Sequence, residues 1–463
     1  MHTHKFKNDL QLIYEKPNNS LPISVVYCFV DLGSIYEHDG IRGSSHFIEH
    51  MCFKGTRKIA SSKVLSSKFD KVGAFFNAFT TKEYTCYTVK CQDHFVENCI
   101  EILGDMMMNS VFQKQDLEKE RKVVMEETIK NEDSPDDTIS KEMESMLYAG
   151  SSFADPIDTI TYHTRDALPY DKIVEIYKAF YRPERFVLSV VSQISFNQIR
   201  RFISTSDFMK TRPQLNLYDP TKWNVNMMMN EIYENQYKIV KKKGITATYI
   251  DLGFRTCPND NDDKYVLEFL SNILGGIMSS RLFVLLREEN GLTYSSYANT
   301  THYKNGGDFS IYTMANHEKI IRNGASKPGV LPLLIQLLND LVNKGITLVE
   351  LEKIKGNMSG TAILDLEDSA NQASHNGLNL ILFRKPDEIV PYNQLYRKYY
   401  GNITKKMVDG IIRKYFVKDR MFVVLMGENP PSLKDVKKCC SNFCSAPMSL
   451  HNPIRCKEKL RPL

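Results

Sequence analysis

Apolar and polar positions along the chain switch between strand and helix periods. Residues 22–32 (PISVVYCFVDL) form a nearly unbroken apolar run, rich in β-branched and aromatic side chains, and predict a buried strand. Gly43-Ser44-Ser45 offers a helix N-cap, and His46-Phe47-Ile48-Glu49-His50-Met51 continues the helix. Val64, Leu65, Phe69 and Val72 mark a second amphipathic helix that Gly73 ends. Residues 75–91 predict two strands with a polar break at Lys82-Glu83. Two helices follow, over 93–108, with Phe95, Cys99, Ile102 and Met106 in phase, and over roughly 116–131. Residues 185–193 predict a further buried strand.

The second half repeats this layout weakly. TATYIDLGF (246–254) echoes VVYCFVDLG (25–33), then come a helix over 264–275, a Gly-Gly break, a helix over 279–290 and the strand-like YSSYANT. Duplication of one strand–helix unit is the simplest explanation. Residues 1–210 form the first domain, 211–240 a linker, 241–436 the homologous second domain and 437–463 a loosely ordered, cysteine-containing tail. Pro213, Pro220, Trp223 and the Met227-Met228-Met229 run interrupt the pattern in the linker.

A chain of 463 residues exceeds one ordinary core, in keeping with two domains. The net charge of +5 is small for this length and disfavours nucleic-acid binding. Lys241-Lys242-Lys243, Lys434 and Lys437-Lys438 read as solvated surface. No stretch is apolar and long enough to span a bilayer. The start, MHTHKFKNDLQLIYEK, has no apolar core of a secretory signal and carries acidic residues early. Ten cysteines without framework spacing predict reduced thiols in a cytosol-like, cytoplasmic compartment. Cys439, Cys440, Cys444, His451 and Cys456 match no standard zinc spacing. His94, His163, His302, His317 and His375 are scattered without ligand spacing.

The sharpest chemistry lies at His46-Phe47-Ile48-Glu49-His50. Residues four apart share one helix face, so His46 and His50 can offer two imidazoles to one cation, with Glu49 beside them. This H-x-x-E-H order is a metalloprotease pattern. A lone match also arises on surface helices, so a third ligand matters. EKERKVVMEE (118–127) supplies Glu120 and Glu127, seven apart on one helical face, with Val123 and Val124 between them. Carboxylates on a partly buried face need partners. Glu127 is therefore assigned as the third ligand and Glu120 as the group that orients the ligands. Glu126 is the neighbouring alternative, expected to point away if the apolar stripe faces the core.

On these residues the chain resembles the pitrilysin/insulinase family of zinc peptidases, in the two-domain form of the mitochondrial processing peptidase beta-type subunit and its bacterial relatives. GSSHFIEHMCFKGT (43–56) is similar to the family's inverted zinc motif, and Glu127, 77 residues after His50, falls where the family keeps its third ligand. GAFFNAFTTKEYTCY (73–87) resembles the edge strand that pairs with substrate, at Asn77-Ala78-Phe79. FYRPERFVLSVVS (180–192) resembles the close of the first domain, and GGIMSSRLFVLLREENGLTYSS (275–296) resembles the second domain's signature, where Arg287 and Tyr294 match a substrate-holding pair.

The resemblance implies an α+β fold of two homologous domains, each a mainly antiparallel sheet packed against helices, together forming half of a clamshell chamber. It implies one Zn(2+) per chain held by His46, His50 and Glu127, and peptide-bond hydrolysis with Glu49 as general base. It also implies a homodimer in which Arg287 and Tyr294 serve the partner's metal site, or else a heterodimer with an inactive homologue. The substrate would be a peptide or unfolded segment. No mitochondrial presequence is visible, and the tail has no family counterpart. A non-catalytic structural or binding subunit is the competing reading, disfavoured by the intact His46, Glu49, His50 and Glu127.

Overall fold

The structure, a computed structural model, describes residues 1–38, 40–158, 168–212, 236–324 and 327–444. His163, Trp223, Met227-Met228-Met229, His451 and Cys456 lie outside the described residues. The chain divides into two compact units. One comprises Met1–Asn131, Gly150–Met227 and Ser359–Lys398, and the other Glu132–Ala149, Met228–Met358 and Tyr399–Leu463.

The strands of the first unit are β1 (His2–Lys5), β2 (Gln11–Glu15), β3 (Ile23–Val30), β4 (Phe75–Thr80), β5 (Thr85–Gln92) and β6 (Phe186–Val191). They form one sheet in the order β1-β2-β6-β3-β5-β4. Only β2 and β6 run parallel, and the other neighbours are antiparallel. The apolar run predicted at 22–32 becomes β3, which sits between β6 and β5 with Val25, Val26, Cys28, Phe29 and Val30 fully buried. Helices α1 (Ser44–Cys52), α2 (Ser62–Asp70), α3 (Val96–Asn109), α4 (Lys114–Asp133), α6 (Tyr170–Phe180) and α7 (Phe196–Thr205) also belong to this half of the chain. The amphipathic α2 buries Leu65 and Phe69, while Val64 is exposed.

The second sheet has β7 (Tyr237–Lys241), β8 (Ala247–Thr256), β9 (Ser296–Tyr303), β10 (Gly306–Asn316) and β13 (Met421–Gly427), in the order β7-β13-β8-β10-β9. β7 and β13 are parallel. A small hairpin, β11 (Arg322–Asn323) with β12 (Lys327–Pro328), stands apart. The two main sheets share one topology. The opening strand lies parallel to the closing strand, then comes the long central strand, then a hairpin in reversed order. The echo between 25–33 and 246–254 is thus an echo of β3 in β8, and β1 is an extra strand on the first sheet's edge. The helices of the second half are α8 (Asp263–Ser271), α9 (Val330–Lys344), α10 (Leu348–Leu364), α11 (Ser369–Phe383), α12 (Lys405–Tyr415) and α13 (Leu433–Cys440).

Two expected boundaries move. β7 begins at Tyr237, inside the stretch read as a linker, because it pairs along β13 from Val423 to Gly427. α13 runs past residue 436 into the expected tail, because Val436, Cys439, Cys440 and Phe443 pack into the second core. Cys439 and Cys440 are therefore core side chains. The nine described cysteines are all free thiols.

The larger departure concerns the units themselves, which are not the two contiguous halves expected. α5 (Pro135–Leu147), encoded in the first half, belongs to the second unit, and α11, encoded in the second half, belongs to the first. In the second unit Met143 and Leu147 of α5 press on Gly253 of β8, and Tyr148 Oη donates to Asp308 at 2.5 Å. In the first unit α11 lies across β3 and β6. There Asn376 Nδ2 donates to Glu15 Oε2 at 2.7 Å, and a Cβ on Gly377 would stand 2.1 Å from Phe29 Cε2. No described helix is long and apolar enough to cross a membrane.

Phe29 is fully buried. Gly377→Ala is expected to destabilise the chain by about 1–3 kcal/mol through overpacking. A lower urea midpoint with an unchanged slope is the expected readout, and an unchanged midpoint would refute the close fit.

Candidate metal centre

α1 follows from its apolar stripe. Phe47, Ile48, Met51 and Cys52 are fully buried, and each large apolar side chain contributes about 1.5–3 kcal/mol. With that face committed to the core, His46 and His50 share the other, one turn apart. The N-cap falls within the expected Gly43-Ser44-Ser45 stretch. Gly43 occupies the N-cap at φ 80°, and no side chain of that position caps the helix.

α4 presents Leu117, Glu120, Val124 and Thr128 to the interior at helical spacing. Val123, read as part of this face, is half exposed, because the stripe passes through Val124 instead. Glu126 is exposed and points away as expected. Glu127 lies at the margin of the stripe, with its side chain 42% exposed. It can therefore reach a shared ion without being buried itself.

The three ligand candidates converge. His46 Nε2 and His50 Nε2 are 3.2 Å apart, and Glu127 Oε2 lies 3.8 Å from the first and 3.5 Å from the second. Ligand bonds of about 2.0–2.1 Å around a tetrahedral ion put donor atoms about 3.3 Å apart, so the spacing fits zinc. Among the described residues this is the only group of three His, Cys, Asp or Glu able to hold a metal ion.

Glu120 locks one ligand. His50 Nδ1 and Glu120 Oε1 are 2.9 Å apart, so His50 donates from Nδ1 and keeps Nε2 free for a metal. The other carboxylate oxygen of Glu120 pairs with Lys54. Burial would raise the Glu120 carboxyl, but the hydrogen bonds from His50 and Lys54 hold it below the usual range. Burial would lower His50, but the hydrogen bond to Glu120 and the charges of Glu49, Glu120 and Glu127 raise it instead. His46 is lowered by burial and then by His50.

Glu49 is 7% exposed, and its Oε2 accepts a hydrogen bond from Thr80 Oγ1 at 2.6 Å. Burial pushes its carboxyl up, and the Thr80 hydrogen bond partly opposes this. Thr80 ends β4, the edge strand of the first sheet. Along that edge Asn77 and Phe79 are exposed and Ala78 is half-buried. The Ala78 N–H is met by Asn77 Oδ1 at 2.9 Å.

In the second unit Arg287 and Tyr294 meet each other. Arg287 Nη1 donates to the Tyr294 carbonyl at 3.1 Å, and its guanidinium lies 4.9 Å from the Tyr294 ring. Tyr294 is 76% exposed. Lys54, Thr80 and Glu37, which caps α1, are site-shaping residues that periodicity alone does not reveal. Lys54 sits one turn beyond His50, and that spacing was the only local hint.

Two imidazoles and a carboxylate on two helices, with a buried glutamate beside them, form the donor set of a metal-dependent hydrolase. The chain belongs to the insulinase family, peptidase family M16. The insulinase (peptidase family M16) domain matches residues 13–158, and the peptidase M16 inactive domain matches residues 167–358. A zinc protease of Bacillus subtilis is 33% identical over 418 residues, covering 89% of this chain and 95% of that one. A zinc protease of Streptomyces coelicolor is 29% identical over 341 residues, covering 73% and 71%. The crystal structure of a protease from Helicobacter pylori shares the fold at a TM-score of 0.80 and 19% identity, covering 92% of this chain and 99% of that one. A peptidase M16 inactive domain from Pseudomonas fluorescens does so at 0.78 and 17%, covering 93% and 98%.

Replacing Glu120 by Gln is expected to weaken zinc binding about 10–100-fold, as losses of ligand-orienting partners do. Competition against a chromophoric chelator measures this, and unchanged affinity would remove Glu120 from the site.

Proposed function

We propose that the chain is a zinc-dependent metalloendopeptidase that hydrolyses peptide bonds in peptides or unfolded segments. The observation that carries this reading is the convergence of His46, His50 and Glu127 with Glu49 on the same helix as both histidines. The zinc-protease names of its relatives support it.

Zinc, when bound, lowers the pKa of water to about 7 and polarises the scissile carbonyl. His46, His50 and Glu127 would hold it. Glu49 serves as the proton acceptor. Thr80 fixes Oε2, and Oε1 takes a proton from the attacking water and returns it to the leaving amine. Burial raises the Glu49 carboxyl toward the range where a general base works best. The substrate lies extended along β4. Its backbone carbonyl replaces Asn77 Oδ1 at the Ala78 N–H, so main-chain groups set affinity more than side chains do.

The second element is assembly. Arg287 and Tyr294 act on the metal site of a second copy, so a homodimer completes two sites within an enclosed chamber. The exposure of Tyr294 suits a residue that meets substrate carried by another chain.

Glu49→Gln should retain one zinc per chain and lose about 10²–10⁴-fold in hydrolysis of a quenched-peptide library, the usual share of general-base catalysis. A wild type that binds zinc yet cuts no peptide would favour a non-catalytic binding subunit. Co-expressing Glu49→Gln with Tyr294→Phe tests assembly. If sites form between copies, random pairing restores roughly a quarter of wild-type activity, because half the dimers are mixed and each has one intact site. If each chain uses its own pair, the mixture stays as inactive as its parts.

A further inference from the structure

α1 starts without a cap of its own. The cap comes from upstream, where Glu37 reaches back over the first turn. Its Oε2 accepts the Gly43 N–H at 2.6 Å, its Oε1 accepts the Ser45 N–H at 2.7 Å, and Ser44 Oγ lies 3.4 Å from Oε1. Glu37 is 8% exposed. A carboxylate there satisfies amides that a helix start leaves unpaired, and it sits at the positive end of the helix dipole.

The next residue after Ser45 is His46, still in the first turn. The two histidines are held differently. The His50 ring is locked at Nδ1 by Glu120. His46 Nδ1 is buried and meets no hydrogen-bond partner among the described residues. Among the described residues no side chain holds His46 Nδ1 as Glu120 holds His50, so the aim of the ring depends on where the backbone of the first turn is held. First turns of helices fray unless they are capped.

We propose that Glu37 is the positioning residue for His46, a carboxylate clamp that aims this ligand through the backbone of α1 as Glu120 aims His50 through its ring. The inference rests on the reading of His46 as a metal ligand. It assigns Glu37 no contact with substrate or metal.

Glu37→Ala and Glu37→Gln in the full chain test it, alongside the wild type. Zinc affinity is read by chelator competition, and Co(II) added in place of zinc reports ligand geometry through its visible absorption. Glu37→Ala should weaken zinc binding about 10–100-fold and alter the cobalt bands, with far-UV circular dichroism unchanged. Glu37→Gln keeps one strong acceptor and should recover part of the affinity. If Glu37→Ala does not fold, Glu37→Gln decides by the same two readouts. Folded variants that hold zinc within about twofold of wild type, with the wild-type cobalt spectrum, would overturn the clamp while leaving the metal site standing. A wild type that takes up no zinc would overturn the metal site itself, and the clamp with it.

Discussion

A buried carboxylate needs partners, and that requirement at Glu120 organises the site. Glu120 is 4% exposed on α4, between His50 and Lys54 of the α1 region. Leaving it unpaired would cost several kcal/mol. Paired, it joins two helices, selects the His50 tautomer that leaves Nε2 open, and brings Glu127 two turns further along α4 to the same spot. Glu49 obeys a related rule. It is buried on α1 and depends on Thr80 of β4 for its hydrogen bond. The metal candidates and Glu49 are thus tied to both α4 and the sheet edge.

Duplication explains the architecture, but the exchanged helices change its meaning. Each sheet is covered by a helix encoded on the far side of the linker, α11 on the first and α5 on the second. The tightness at Gly377 and Phe29 shows a seat shaped for this helix, not a loose surface contact. Loss of α11 would uncover Phe29 and Val187 and leave Glu15 without the Asn376 amide.

The legible part of the site was the local part. His46, Glu49 and His50 lie within five residues, and helix periodicity alone places them. Glu120 and Glu127 were readable because seven residues make two turns and because a buried acid needs a reason. Which helix they would meet came only from the resemblance. Lys54, Thr80 and Glu37 are common polar residues whose roles arise from contacts that sequence spacing does not encode. At the start of α1 the Glu37 carboxylate, six residues before Gly43, accepts the Gly43 and Ser45 amides. Strands β3, β6 and β8 were visible as apolar runs. The exchange of α5 and α11 was not, because an apolar stripe shows that a helix has a buried face without naming the sheet that covers it. β7 and α13 crossed expected boundaries where pairing and core packing outweighed composition.

The exchanged helices also set an order of events during synthesis. β6 closes the first sheet at Val191, but α11 does not begin until Ser369. At about 5–20 residues per second the ribosome needs roughly 9–36 s to cross that interval. Throughout it the first unit has all its strands but lacks the helix that packs over Phe29. The nascent chain must carry an unfinished first unit, with an apolar sheet face open, until Ser369–Phe383 has been made. This order also delays the finished site until most of the second unit has been translated.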